Sequence, residues 1–410
     1  MVKSEIIKKK LENGLTVIFL KNKEKTVLIN VGVGIGSLSE KSEVQGVSHF
    51  LEHVLFEGSK KYPSYSSVKK SVDNINGDYN AFTRPNSTVY YIFCLRKNFE
   101  KELDIILDVI QNPLFLDDAI EKQRKIIFNE LNQAEDQIQY QSMKFMIDSI
   151  LSEGMPRINP MGSKESLAKI TKKDLIEHYS TYYVPNNMVI TISGDIEEPF
   201  ALVEEKFCMK PRDFPKRVEP KIRPISGEVL VKLVKNTDTS YINQIYPTVP
   251  WKHEDSDSLK VISDMLCAGK FCIEDVIRQE HGLTYSCWAR SMGSKEDGYF
   301  DISLSSGKEN VFEIKELIKN HLKKLDNVSK KDVNKAKRNL VKEYRDEEQD
   351  PAELSLAVIN NELENDWNEF YNRKEKILQV TREDVQRVAK KYFGNNYLIS
   401  LIEQKKSGFE

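Results

Sequence analysis

The stretch Ile170-Thr171-Lys172-Lys173-Asp174-Leu175, followed by Tyr182-Tyr183 and Asn186-Asn187-Met188-Val189-Ile190, returns near the end of the chain. There it reads Val380-Thr381-Arg382-Glu383-Asp384-Val385, then Tyr392-Phe393, then Asn395-Asn396-Tyr397-Leu398-Ile399. The three echoes keep their order and spacing, with one residue lost before the third. Each copy makes physical sense. A threonine with an aspartate three residues later can exchange hydrogen bonds with the first turn of a helix, as in a capping box. The helix then breaks at Pro185 or Gly394, and an apolar run continues as a strand. A helix–turn–strand unit that recurs in register marks a duplicated domain. The division that follows is an N-terminal domain over 1–209, a connection over 210–227 and a second copy over 228–410. The connection contains Lys210-Pro211 through Pro224, rich in proline and basic residues.

Working outward, Leu15–Leu20, Val27–Val33 and Val89–Phe93 are short apolar runs of strand type, whereas Phe99–Ile110 and Ala119–Ile138 are long and helical in period. Strands and helices in this irregular order predict an α+β fold. It consists of two homologous domains, each a mostly antiparallel sheet with helices packed on one face.

Composition bounds the function. A chain of 410 residues, 40% hydrophobic and 30% charged, is an ordinary globular sequence of two or three domains. With 61 basic and 63 acidic side chains it has no charge excess suited to nucleic acid or to an anionic membrane surface. No apolar run approaches the ~20 residues of a membrane span. The opening MVKSEIIKKKLENG lacks an apolar core, so it does not read as a signal peptide. The five cysteines are odd in number and show no CxxC, which suits free thiols in a reducing compartment. The expected location is cytoplasmic.

The chemistry lies in Gly46-Val47-Ser48-His49-Phe50-Leu51-Glu52-His53-Val54-Leu55-Phe56-Glu57-Gly58. Val47, Phe50, Leu51, Val54 and Leu55 form one apolar helical stripe facing a core, and Gly58 suits the helix stop. His49, Glu52, His53 and Phe56 fall on another face. Side chains so spaced are neighbours. Two imidazoles one turn apart can share a zinc ion, and a carboxylate beside them can reach an attacking water. This is the HxxEH arrangement. A catalytic zinc takes three protein ligands and keeps an open position. Periodicity alone does not single out the third ligand among the many acidic residues.

These residues resemble the pitrilysin-type inverzincin peptidases, in particular their short-chain branch similar to mitochondrial processing peptidase. The resemblance runs over essentially the whole chain. Ser48-His49-Phe50-Leu51-Glu52-His53 and Phe56-Glu57-Gly58-Ser59-Lys60-Lys61 are similar to the zinc helix of that family. The family takes its third ligand from a downstream glutamate, and at the matching spacing this chain has Glu130, in Ile126-Ile127-Phe128-Asn129-Glu130-Leu131. The resemblance therefore implies one zinc per chain on His49, His53 and Glu130, with Glu52 as general base. Gly77-Asp78-Tyr79-Asn80-Ala81-Phe82-Thr83 resembles the edge strand that pairs with substrate backbone, which makes Asn80, Ala81, Phe82 and Thr83 substrate-binding residues. Arg278-Gln279-Glu280-His281-Gly282-Leu283-Thr284-Tyr285 resembles the segment that supplies an arginine and a tyrosine to the bound peptide, here Arg278 and Tyr285. One position departs from the pattern. Two turns before the third ligand the family often has a second glutamate, and here stands Gln123, which can hydrogen-bond behind a ligand but brings no charge.

The implied activity is that of a zinc endopeptidase cleaving peptides or precursor proteins in a closed chamber. The implied substrate is a peptide or unfolded polypeptide. The second copy lacks HxxEH and resembles a degenerate repeat that contributes substrate-binding residues. Because relatives close their chamber with two such two-domain halves, a homodimer is expected. The alternative is a non-catalytic core or partner subunit of a peptidase-like complex, though such forms typically lose part of the metal motif, which is intact here.

Overall fold

The computed structural model describes residues 5–153, 159–364 and 366–405. It divides into two compact units, each drawing on more than one stretch of chain. The first comprises 1–133, 156–218 and 347–370, and the second 134–155, 219–346 and 371–410.

The first unit is built on a six-stranded sheet. Its strands are β1 (Glu5–Lys10), β2 (Thr16–Lys21), β3 (Thr26–Val33), β4 (Asp78–Thr83), β5 (Thr88–Leu95) and β6 (Met188–Gly194), in the order β1-β2-β6-β3-β5-β4. Only β2 and β6 run parallel, and the other neighbours are antiparallel. The second unit has five strands: β7 (Glu228–Lys235), β8 (Ser240–Thr248), β9 (Cys287–Gly293), β10 (Gly298–Ser306) and β11 (Tyr397–Gln404), in the order β7-β11-β8-β10-β9. Here too a single pair, β7 and β11, is parallel. With β1 set aside, the two orders coincide strand for strand, so the duplication read from the three echoes extends to the whole topology.

The echoed segments form as the sequence requires. Thr171 and Asp174 exchange hydrogen bonds at the start of the Lys172–Tyr182 helix, and Thr381 and Asp384 do the same at Arg382–Tyr392. Each helix leads into the last strand of its sheet, β6 or β11.

The strands explain why helices cover both faces. On β3, Val27, Ile29, Val31 and Val33 point into the main apolar core with Phe50, Leu51, Leu103 and Ile106. The alternate residues meet the Pro351–Leu363 helix. A Cβ on Gly32 would sit 2.8 Å from Ile359 Cδ1, and Asn30 Nδ2 donates to Ser355 Oγ at 2.7 Å and to Thr191 Oγ1 at 3.1 Å. The second sheet repeats this device. Asn243 on β8 donates to Ser142 Oγ at 3.0 Å, and Met146 and Ile150 pack with Ile245 and Leu398. Ser142 belongs to the Ile138–Ile150 helix, which precedes the connection in sequence. Each sheet thus takes one covering helix from the other half of the chain. This corrects the contiguous division into 1–209 and 228–410. A helix joins whichever apolar sheet face it can bury, and sequence proximity does not decide that. The 210–227 stretch is itself divided between the units at Val218.

A buried carboxyl marks the first core. Glu102, on the Phe99–Gln111 helix, is fully enclosed and accepts from Cys94 Sγ at 2.9 Å. Burial lifts it from 4.5 to about 9, with the Cys94 contact pulling weakly the other way. Between these values the folded state keeps a proton that the unfolded state has lost. The stability this group contributes therefore falls as pH rises through that window. Glu102→Gln should remove that decline. Urea midpoints of the two proteins should separate as pH rises from 5 to 9, with the variant gaining. Midpoints that move in parallel would mean that Glu102 ionises normally. All five cysteines are free thiols.

Candidate metal centre

The Val47–Leu55 helix begins at Gly46, whose φ of 90° lies in the left-handed region that favours glycine. A Cβ there would also stand 3.1 Å from Met161 O. Glu40 Oε2 accepts from Gly46 N at 2.7 Å and Glu40 Oε1 from Ser48 N at 2.8 Å, so a buried carboxyl caps the helix start. Burial raises Glu40 to about 7, against the pull of these two N–H groups. Ser48 Oγ lies 3.1 Å from Nε2 of the enclosed His178. The stripe Val47, Phe50, Leu51, Val54 and Leu55 is buried, as its spacing predicts. The helix ends at Leu55, short of the expected stop at Gly58, because Phe56 N–H already turns back to Val54 O.

The opposite face converges. His49 Nε2 and His53 Nε2 are 3.3 Å apart. Glu130 Oε2, from the Asp117–Asp136 helix, stands 3.4 Å from His53 Nε2 and 3.8 Å from His49 Nε2. Among the described residues, His49, Glu52 and His53 are the group whose ligand atoms lie within 4.8 Å of one another. The centre opens into a cavity of about 610 Å³, lined also by Phe56, Tyr65, Tyr79, Asn80 and Ala81.

Protonation follows from this crowding. Burial, together with His53 alongside, lowers His49 to about 4, although Glu130 pulls the other way. Burial also disfavours charge on His53, but the hydrogen bond and charge of Glu130 outweigh it and its pKa rises. Glu130 is lowered, chiefly by that same hydrogen bond. Burial raises Glu52 to about 7, opposed by Thr83 and His53.

The donor set fits a zinc ion: two imidazole nitrogens and one carboxylate oxygen, with the fourth side open to a cavity. His49, held neutral by burial, has one ring lone pair to offer a metal ion. His53 Nδ1 is 2.9 Å from Gln123 Oε1, an acceptor that holds a proton on Nδ1, so the proton facing Glu130 at Nε2 is the one a metal ion would displace. Behind Gln123, its Nε2 donates to Glu57 Oε1 at 2.5 Å, and Lys122 Nζ donates to the same carboxylate at 2.9 Å.

Asn80, Ala81, Phe82 and Thr83 lie on β4, an edge strand of the first sheet. Asn80 Oδ1 accepts from Ala81 N at 2.8 Å, and Arg84 lies 4.9 Å over the Phe82 ring. Thr83 also donates its hydroxyl to Glu52 Oε2 at 2.5 Å, a role that no local pattern disclosed. Arg278 and Tyr285 belong to the second unit. The Arg278 guanidinium pairs with Glu274 Oε1 at 2.7 Å and lies 4.9 Å over the ring of Tyr285, which is 79% exposed. Glu40, Glu57 and His178 escaped the sequence reading. Glu57 stood inside the quoted motif, but nothing in the spacing tied it to Gln123.

Comparison with known proteins points the same way. A family model described as Insulinase (Peptidase family M16) matches residues 16–161, and one described as Peptidase M16 inactive domain matches 169–340. The chain is 26% identical over 413 residues to the uncharacterized zinc protease YmxG of Bacillus subtilis, covering 95% of this chain and 96% of that protein. It is 29% identical over 203 residues to the mitochondrial-processing peptidase subunit beta of Dictyostelium discoideum, a match spanning 48% of this chain and 43% of that one. Among solved structures, a protease from Helicobacter pylori superposes with a TM-score of 0.87 at 20% identity, covering 98% of this chain and all of the other. Both halves are matched in order by models of one family, over the topology described above, and the chain therefore belongs to the insulinase family of peptidases, M16.

Proposed function

We propose that this chain is a zinc-dependent endopeptidase with one metal per chain, held by His49, His53 and Glu130, and with Glu52 as its general base. The observation that carries the proposal is the convergence of His49 Nε2, His53 Nε2 and Glu130 Oε2 beside a buried carboxyl that opens on a cavity. When bound, zinc supplies Lewis-acid polarisation of the scissile carbonyl and makes the attacking water more acidic.

The protein's own groups do the rest. Thr83 occupies Glu52 Oε2, which leaves Oε1 to accept the proton of the water. A carboxyl that burial makes more basic than an exposed one can take a proton from the water and return it to the leaving amine. An extended peptide adds to the open edge of β4, where Asn80, Ala81 and Phe82 present backbone beside the centre. Arg278 and Tyr285 bind substrate carbonyl or carboxylate groups. The assembly is a homodimer in which each chain's second unit completes the partner's centre. The substrate is a peptide or unfolded polypeptide, and the location is cytoplasmic. Among the described residues no helix is long and apolar enough to cross a membrane.

Glu130→Gln tests the ligand set. Zinc affinity should fall by more than about 100-fold, the upper end of what changes behind a ligand cost, and peptide cleavage should fall with it. Unchanged zinc affinity would remove Glu130 from the set.

A further inference from the structure

The group behind His53 is Gln123, an uncharged amide, and a buried carboxylate stands behind it in turn. Glu57 is 6% exposed, and its carboxylate accepts from Gln123 Nε2 at 2.5 Å and from Lys122 Nζ at 2.9 and 3.1 Å. Gln123 Oε1 in turn faces His53 Nδ1 at 2.9 Å.

From this chain of contacts we infer that Glu57 is a positioning residue for the metal centre, acting on His53 through Gln123. The inference rests on the proposed zinc reading. Its logic is one of donors and acceptors. A carboxylate can only accept, so Glu57 obliges Gln123 to turn its NH2 end outward and its carbonyl toward His53. A carbonyl can also only accept, so it draws the imidazole proton to Nδ1. Nε2 is then the nitrogen whose proton a metal ion would displace. A glutamine on its own has no such preference, because either end of the amide can face an imidazole. Gln123 alone could equally present NH2 to Nδ1, which would place the proton on Nε2 and block coordination. Glu57 removes that alternative. Lys122, half exposed, balances the carboxylate charge without touching His53.

Four variants test this, read by zinc dissociation constants from competition with a chromophoric chelator, with thermal melts to check folding. Glu57→Gln should bind zinc about 10-fold or more weakly, within the range for groups behind a ligand. Lys122→Met, which spares the Glu57–Gln123 bond, should bind within a few-fold of wild type. Gln123→Glu places two carboxylates in contact, which disfavours ionising both, and should lower the melting temperature at neutral pH. The double variant Glu57→Gln/Gln123→Glu removes that clash and gives His53 a carboxylate directly. It should recover both the melting temperature and zinc affinity to near wild type. A purely structural role for Glu57 predicts no such recovery of zinc affinity. The inference is overturned if Glu57→Gln binds zinc as wild type does, or if the double variant binds no better than Glu57→Gln. If the wild-type protein itself binds no zinc, the zinc reading fails first, and the two failures are told apart by that control.

Discussion

Glu52→Gln is expected to lower peptide turnover by about 10²–10⁴-fold, the usual worth of a positioned acid–base group, while the protein keeps its full zinc. The amide matches the carboxyl in size, and its carbonyl can still accept from Thr83 Oγ1. The side chain should therefore stay in place, with the ligands His49, His53 and Glu130 undisturbed. What is lost is the lone pair that takes the proton of the attacking water. Loss of rate at constant metal content separates chemistry from binding. A Glu52→Gln protein that cleaves a fluorogenic peptide at the wild-type rate would show that the base lies elsewhere.

His49→Ala should be as inactive as Glu52→Gln but for the opposite reason, since it removes a ligand. The same should hold for Arg278→Ala combined with Tyr285→Phe, which leaves the metal centre intact but removes the proposed substrate-binding pair. In the proposed homodimer each variant then lacks one necessary part at every site. Co-expression of the two variants should restore activity if the second unit of one chain serves the centre of its partner. In a mixed dimer the His49→Ala chain lends Arg278 and Tyr285 to the other chain's intact ligands, so one site of two is complete. Random pairing makes about half the dimers mixed, and about a quarter of wild-type activity should return. If mixed dimers are shown to be present and remain inactive, each chain uses its own pair.

Much of this architecture was legible in the sequence because it rests on local rules. The Thr171/Asp174 and Thr381/Asp384 boxes are decided within four residues, and they announced a duplication that reappears as matching strand orders. The apolar stripe from Val47 to Leu55 fixed which helix face is buried, and so which face carries His49, Glu52 and His53. Less legible was whatever depends on tertiary approach. Glu130 lies far along the chain on another helix, and only the likeness to a known family singled it out. Thr83 reaches Glu52 because β4 passes beside the helix, which no periodicity encodes. The exchange of the Ile138–Ile150 and Pro351–Leu363 helices was hidden for a similar reason. An apolar helix shows that it will be buried, but not by which sheet. The small polar residues Asn30, Thr191 and Ser355 look unremarkable singly and acquire meaning only as a buried trio.

Under the proposed function, peptide cleavage depends on a metal held by His49, His53 and Glu130. The most direct test is to titrate the purified protein with a chelator, measuring bound zinc and peptide cleavage on the same samples. Activity should fall in proportion to zinc lost from one site per chain, and it should return when zinc is added back. Full cleavage by protein from which all metal has been removed would contradict the account.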